Sequence, residues 1–256
     1  MRGGVRALLP PVIVGVVGLV CWELFIDVLG VQEFLLPRPL AIWSSLTEDW
    51  SVIWSGARKT AWVAVSGLVV GVLLAVVGAF VTTRSKLLSE AVTPLAAALA
   101  ATPIVALAPV YFKWFGSVEP TAKQAVVASV VVFPVFVSTA RGLLEVDATH
   151  IDLMRTYAAG EWRVLREVRV PNALPFFLTS LKVAASLAVI AAIVSEYFGG
   201  EQGTLGGIIT QSAGLTRYDR AWAAVAVASA LGITLFVAVN LLEKLLLPWQ
   251  PARRAA

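Results

Sequence analysis

Six stretches of this chain are apolar over about twenty residues each, the length an α-helix needs to cross the hydrocarbon core of a bilayer. They run over about 8–30, 60–83, 91–112, 122–140, 176–198 and 221–247, and together they fill most of the 256 residues. A chain committed to lipid in this way has few folds open to it, because every backbone N–H and C=O inside the membrane must be paired within the protein. Composition agrees: 59% of residues are hydrophobic, 14% are charged and the mean hydropathy is +0.84. A soluble domain carries about a quarter charged residues, so soluble enzymes, nucleic-acid-binding modules and disordered segments are set aside. The expected class is an all-α membrane protein of six spanning helices in a single domain, 1–256.

The opening residues, with Arg2 and Arg6 before an apolar run ending at Cys21, imitate a signal peptide. The bulky Val20 before Cys21 and the apolar Trp22, Leu24, Phe25 and Ile26 beyond it read instead as a retained first helix. The long connection between the fourth and fifth spans carries Arg155, Arg163, Arg166 and Arg169, just after Arg141. Positive loops stay cytoplasmic, which places both termini inside.

Two connections exceed a turn. In the first, Leu40, Trp43, Leu46, Trp50, Ile53 and Trp54 recur at steps of three and four. That spacing predicts an amphipathic helix over about 40–58, lying on the outer leaflet or packed on its neighbours. In the second, 142–174, Ile151, Met154, Tyr157 and Ala158 share a helical face. Gly160 breaks it, Trp162, Leu165 and Val168 form a second stretch, and Pro171 and Pro175 precede the fifth span. A helix-break-helix at the cytoplasmic face is a docking element or a lipid-surface hairpin.

The run from Asp152 through Tyr157, Gly160, Trp162 and Pro171 to Pro175 resembles the EAA loop of ABC-importer permeases. The closest likeness is to the nitrate, taurine, alkanesulfonate and bicarbonate type of the binding-protein-dependent inner-membrane family, which also includes carriers of thiamine-pyrimidine and riboflavin-like compounds. Further pieces follow that family's order: Phe34-Leu-Leu-Pro-Arg-Pro39, Thr102-Pro-Ile-Val-Ala-Leu-Ala-Pro109, Trp114-Phe-Gly116, Glu196-Tyr-Phe-Gly-Gly200 with Gly203-Thr-Leu-Gly206, and Leu247-Pro-Trp249. Aligned on Pro171, the family's Glu-Ala-Ala falls on Asp152, Leu153 and Met154, and its central glycine falls on Ala158.

The resemblance implies a type I importer permease fold with a cytoplasmic coupling helix, in the bacterial inner membrane. Asp152, Met154, Arg155, Tyr157, Ala158, Gly160, Trp162 and Arg163 would engage ABC ATPase subunits. It also implies a second permease chain, as a homodimer, and an extracytoplasmic solute-binding protein. ATP and Mg would sit on the ATPase, and this chain contains no G-x-x-x-x-G-K-[ST] phosphate loop of its own. The solute would be a sulfonate-, nitrate- or taurine-like anion, or a thiamine-pyrimidine or riboflavin-like metabolite.

An ionisable group inside a spanning helix is costly unless it faces water or a partner. Glu196, with Tyr197 beside it, is therefore a candidate for the pathway or its gate, or else an anchor for the loop that follows. Pro103, Pro109 and Pro134 mark irregular helices that line a cavity or merely kink. Lys182 would snorkel to the headgroups, and Glu23 and Asp27 would be interfacial. Gly67-x-x-x-Gly71 permits close helix approach, more consistent with packing inside the chain than with a dimer seam. A lone His150 and a lone Cys21 exclude a histidine or thiolate zinc site. No hydrolase constellation assembles. A proton-driven carrier would need buried carboxylates in mid-span, for which Glu196 is the one candidate.

Overall fold

Helix is the spanning solution that satisfies its backbone within each apolar segment, and helix is what these segments form. The computed structural model describes residues 2–32, 34–83, 90, 94, 106, 108–116 and 119–248, with the backbone alone at 2–9 and 11. Among the described residues there are nine helices and no strand. They are α1 (Arg2–Leu29), α2 (Pro39–Glu48), α3 (Trp50–Thr82), α4 (Ala108–Phe115), α5 (Pro120–Leu144), α6 (Ala148–Thr156), α7 (Glu161–Gly199), α8 (Leu205–Gly214) and α9 (Tyr218–Leu246). Helices α1, α3, α5, α7 and α9 are long and apolar enough to cross a membrane. The span expected over 91–112 falls mostly outside the described residues, as does Pro103; Pro109 is exposed in the first turn of α4.

The core is a packed trio of α3, α5 and α7, with α9 and α8 against α7. It is built from small and β-branched side chains, among them Ala64, Ala75, Val127, Val131, Ala184, Ala188 and Ala192. Small residues let helices approach where lipid supplies no hydrophobic drive between them. Gly67 and Gly71 are the extreme case. A Cβ on Gly67 would lie 2.6 Å from the Val127 side chain, and one on Gly71 would lie 2.8 Å from the Ala128 carbonyl oxygen. The Gly-x-x-x-Gly spacing is thus a seam within one chain, between α3 and α5.

Three boundaries differ from the sequence-based expectation. The amphipathic stretch over 40–58 is not one helix: α2 stops at Asp49, whose N–H is bonded to Ser45 O, and α3 starts at Trp50 and runs on through the span. Thirty-three residues make about 50 Å of helix against a core of about 30 Å, so the first turns of α3 stand clear of the hydrocarbon. Ile53 and Ala57 are buried against α8 and α9, so this face meets protein rather than lipid. The second connection is also shorter than 142–174, because α5 continues to Leu144 and α7 already begins at Glu161.

Pro171 and Pro175 consequently lie inside α7 rather than ahead of it. For Pro171 a π-turn at Leu165–Arg169 makes this possible: the Val170 N–H reaches Leu165 O, five residues back. The widened ladder has no N–H to lose at the next position and gives the proline ring room. Pro134 is half-buried within α5.

Helix α1 stands largely apart, with Ile26 buried and Trp22 edge-on to Trp222 of α9 at 5.5 Å. Glu23 and Asp27 are tied by Arg38, which donates to each at 2.7 Å. These paired carboxylates, Glu23 foremost, raise the Arg38 guanidinium above its ordinary value. Lys182 pairs with Glu243 of α9.

Candidate functional site

At one end of the bundle, α6 is suspended between two stems, α5 and α7. The stems are locked to each other. Asn172 donates through its side-chain amide to Gly142 O at 2.8 Å and Glu145 O at 3.2 Å, covering carbonyls that the end of α5 leaves open. A Cβ on Gly142 would lie 2.7 Å from Ala173 Cα, so the two backbones touch. Asn172 gives no sign of this role in the sequence beyond its place after Pro171.

Helix α6 itself buries no side chain. Asp147 caps its start by accepting from the Thr149 N–H at 2.8 Å, and this bond holds the Asp147 carboxyl below its ordinary range. The helix ends with Ala158 at φ +49°, its N–H bonded to Arg155 O and the Ala159 N–H bonded to Met154 O. This is a left-handed cap. Here alanine takes the conformation that glycine more often supplies.

Of the residues singled out on this loop, Asp152, Arg155, Tyr157, Ala158, Gly160, Trp162 and Arg163 are exposed and Met154 is half-buried. Asp152 pairs with Arg155 at 2.9 Å, and Arg163 with Glu167 at 3.1 Å. Tyr157 and Trp162 remain 70% and 69% exposed. Beside them lies a cavity of about 340 Å³ between the end of α3, α6 and the start of α7, bordered by Thr83, Ile151, Arg155, Trp162 and Arg169. Two large aromatics left in the open on a rigidly held knob, next to a cavity, form a surface that suits a protein partner.

The opposite end of the bundle holds a polar node. Glu196 is 0% exposed. Its Oε2 accepts from Thr60 Oγ1 at 2.9 Å and from the Gly206 N–H at 3.0 Å, while Oε1 is buried with no hydrogen-bond partner among the described residues. Thr60 in turn accepts from the Leu205 N–H at 3.1 Å. Thr204 caps α8 by accepting from the Gly207 N–H at 3.2 Å. The carboxyl group therefore sits on the first turn of α8, where unpaired N–H groups favour it. Gly206 has to be glycine for this: a Cβ would lie 2.6 Å from Ile193 O and 2.7 Å from Glu196 Cβ.

Glu196 is thus enclosed by its own chain in this conformation, whereas Tyr197 is 55% exposed, edge-on to Phe198. Lys123, in the first turn of α5, is 1% exposed and paired with Glu201. Lys123, Glu201, Thr60 and Thr204 complete a node that the sequence marks only at Glu196. Among the described residues no group of three or more His, Cys, Asp or Glu is placed to hold a metal ion.

Comparison with known proteins bears on this arrangement. Residues 67–250 match the model of the binding-protein-dependent transport system inner membrane component. The chain is 32% identical over 235 residues to the formylaminopyrimidine transport permease protein ThiX of Halalkalibacterium halodurans, covering 91% of this chain and 92% of that one. It is 29% identical to the riboflavin transport system permease protein RibX of Chloroflexus aurantiacus, covering 91% and 87%. In fold it is similar to the crystal structure of an amino acid ABC transporter with histidines, with a TM-score of 0.64 at 18% identity over 78% of this chain and 96% of that one. A spanning helical bundle with a suspended, solvent-facing helix, matched over most of its length by permeases rather than enzymes, belongs to the binding-protein-dependent inner membrane components: it is a permease subunit of an ABC importer.

Proposed function

We propose that α6 and the start of α7 form the surface through which cytoplasmic ABC ATPase subunits drive this permease. The observation that carries the reading is the exposed pair Tyr157, just past the end of α6, and Trp162, in the first turn of α7, flanking a helix that buries nothing and is held by stems clamped at Asn172. Because both stems continue into spanning helices, displacement of α6 moves α5 and α7 together. ATP and Mg belong to the ATPase, and closure of two ATPase subunits would tilt two copies of this chain around one pathway. Both termini then lie in the cytoplasm, and the end carrying Glu196 faces outward to a solute-binding protein.

For the solute, the two relatives named above carry a formylaminopyrimidine and riboflavin. They favour a small heteroaromatic metabolite over a sulfonate, nitrate or taurine-like anion. The test is purification of the tagged chain from native membranes after mild cross-linking, with mass spectrometry of its partners, followed by ATPase and uptake assays. Recovery of an ATPase subunit in equal amount, and its loss with Tyr157→Asp and Trp162→Asp, is expected. A chain that transports alone, or variants that keep the ATPase bound and coupled, would overturn the coupling role. Uptake blocked by excess taurine or nitrate, and untouched by aminopyrimidines, would reverse the solute assignment.

A further inference from the structure

A cavity of about 410 Å³ opens at the end of the bundle opposite α6, between the first turns of α3, the start of α5 and the segment before α8. Its walls include Ser55, Arg58, Lys59, Trp62, Glu201 and Thr204. The charges are unbalanced. Glu201, the one carboxylate on these walls, is already engaged by Lys123. Arg58 and Lys59 are both exposed, and neither has an ion-pair or hydrogen-bond partner among the described residues. Nearby cations at the same end are treated differently: Arg38 is held by Glu23 and Asp27, and Arg217 and Arg220 by Asp49.

Two adjacent cations left without counterions repel each other and gain nothing for the fold. Facing an open cavity, they project a positive field that an incoming carboxylate would neutralise. Trp62, 65% exposed on the same wall, offers a flat apolar body against which an acidic side chain's stem can rest. The site is also anchored. Arg58 and Lys59 immediately precede Thr60, which the Glu196 node fixes to α8, so the cations are presented on a rigid turn.

We infer that Arg58 and Lys59, with Trp62, receive carboxylate side chains of the solute-binding protein and set where it docks on this permease. The inference rests on the importer reading above. It commits to an acidic protein surface as occupant, because the cations stand exposed on the rim.

The experiment uses the intact complex in nanodiscs and the solute-binding protein recovered with it, measuring affinity by surface plasmon resonance between 20 and roughly 300 mM salt, a range over which the Debye length falls from about 20 to about 6 Å. Arg58→Glu with Lys59→Glu is expected to weaken binding at least tenfold at low salt and to flatten its salt dependence. The milder Arg58→Gln with Lys59→Gln should fall between, which guards against misfolding of the reversed variant. Lys113→Glu, at another exposed cation of the same end, should stay within twofold. Unchanged affinity and salt slope in the double variants would overturn the assignment, and so would an equal loss in Lys113→Glu, which would indicate only a diffuse positive face. Normal binding-protein affinity with altered solute dependence of uptake would also overturn it, in favour of an anionic solute. A wild-type complex that binds no such protein would instead sink the importer reading itself.

Discussion

Removing the carboxyl group of Glu196 tests whether the polar node holds the far end of the bundle together. In Glu196→Ala the Gly206 N–H and the Thr60 hydroxyl both lose their acceptor inside a site with no access to water. The hydroxyl can rotate, but the Gly206 N–H is fixed by the first turn of α8, and one buried donor left unpaired costs about 1–3 kcal/mol. Deleting the rest of the side chain leaves a void at a tightly packed contact, adding about 1–2 kcal/mol. The sum is about 2–5 kcal/mol. At about 2–3 °C per kcal/mol for a chain of this size, the midpoint should drop by about 4–15 °C. Glu196→Gln keeps a carbonyl oxygen in place for both donors, so its drop should be less than half as large. The assay is thermal unfolding of the purified chain in mild detergent followed by fluorescence-detected size exclusion, paired with hydrogen exchange over Leu205–Gly214, where the alanine variant should lose protection first. An alanine variant with wild-type stability would show that the node contributes nothing. Equal losses in alanine and glutamine would show that charge opposite Lys123, rather than hydrogen bonding, is what matters.

Three further outcomes follow from the same geometry. Gly71→Ala places a methyl group 2.8 Å from the Ala128 carbonyl and 2.9 Å from Val131 Cγ1, so α3 and α5 must separate; a loss of about 1–3 kcal/mol is expected in thermal unfolding, while Gly18→Ala, with nothing within 4 Å inside α1, should cause no loss and stabilise by up to about 1 kcal/mol. Ala158→Gly should stabilise the end of α6, since an L-residue at φ +49° carries about 1–2 kcal/mol of strain and glycine gives back about 0.4–1 kcal/mol through the unfolded chain; slower exchange at 157–160 would confirm it, and faster exchange would refute it. Because the folded Asp147 carboxyl is held below its unfolded value, its cap is present above the ordinary carboxylate range and is lost as pH falls through the lowered value; exchange at the start of α6 should rise only under such acid conditions, and Asp147→Asn, which caps without a charge, should remove that pH dependence.

Much of the end that carries α6 is legible in the chain itself. Asp147, Gly160 and the prolines at 171 and 175 punctuate it, and the aromatics Tyr157 and Trp162 stand where a soluble helix would carry polar groups. What the punctuation misreads is the joint to α7: a proline usually ends or starts a helix, and only the π-turn at Leu165–Arg169 lets Pro171 stay inside one. At the other end Glu196 is conspicuous by sequence alone. Its meaning is not, because Thr60 lies 136 residues away and the donor at Gly206 depends on how α8 folds back.

The division has one physical cause. A bilayer imposes a length and an apolar composition on each span, and both are local properties of the chain, so the existence and order of the five spans among the described residues are written in the sequence. Which face of a span meets lipid and which meets another helix is not written there, since both surroundings are equally apolar and hydropathy does not separate them. Only packing decided that Gly67 and Gly71 face α5, that Lys182 pairs with Glu243, and that Lys123 is buried while Arg58 and Lys59 are left in the open.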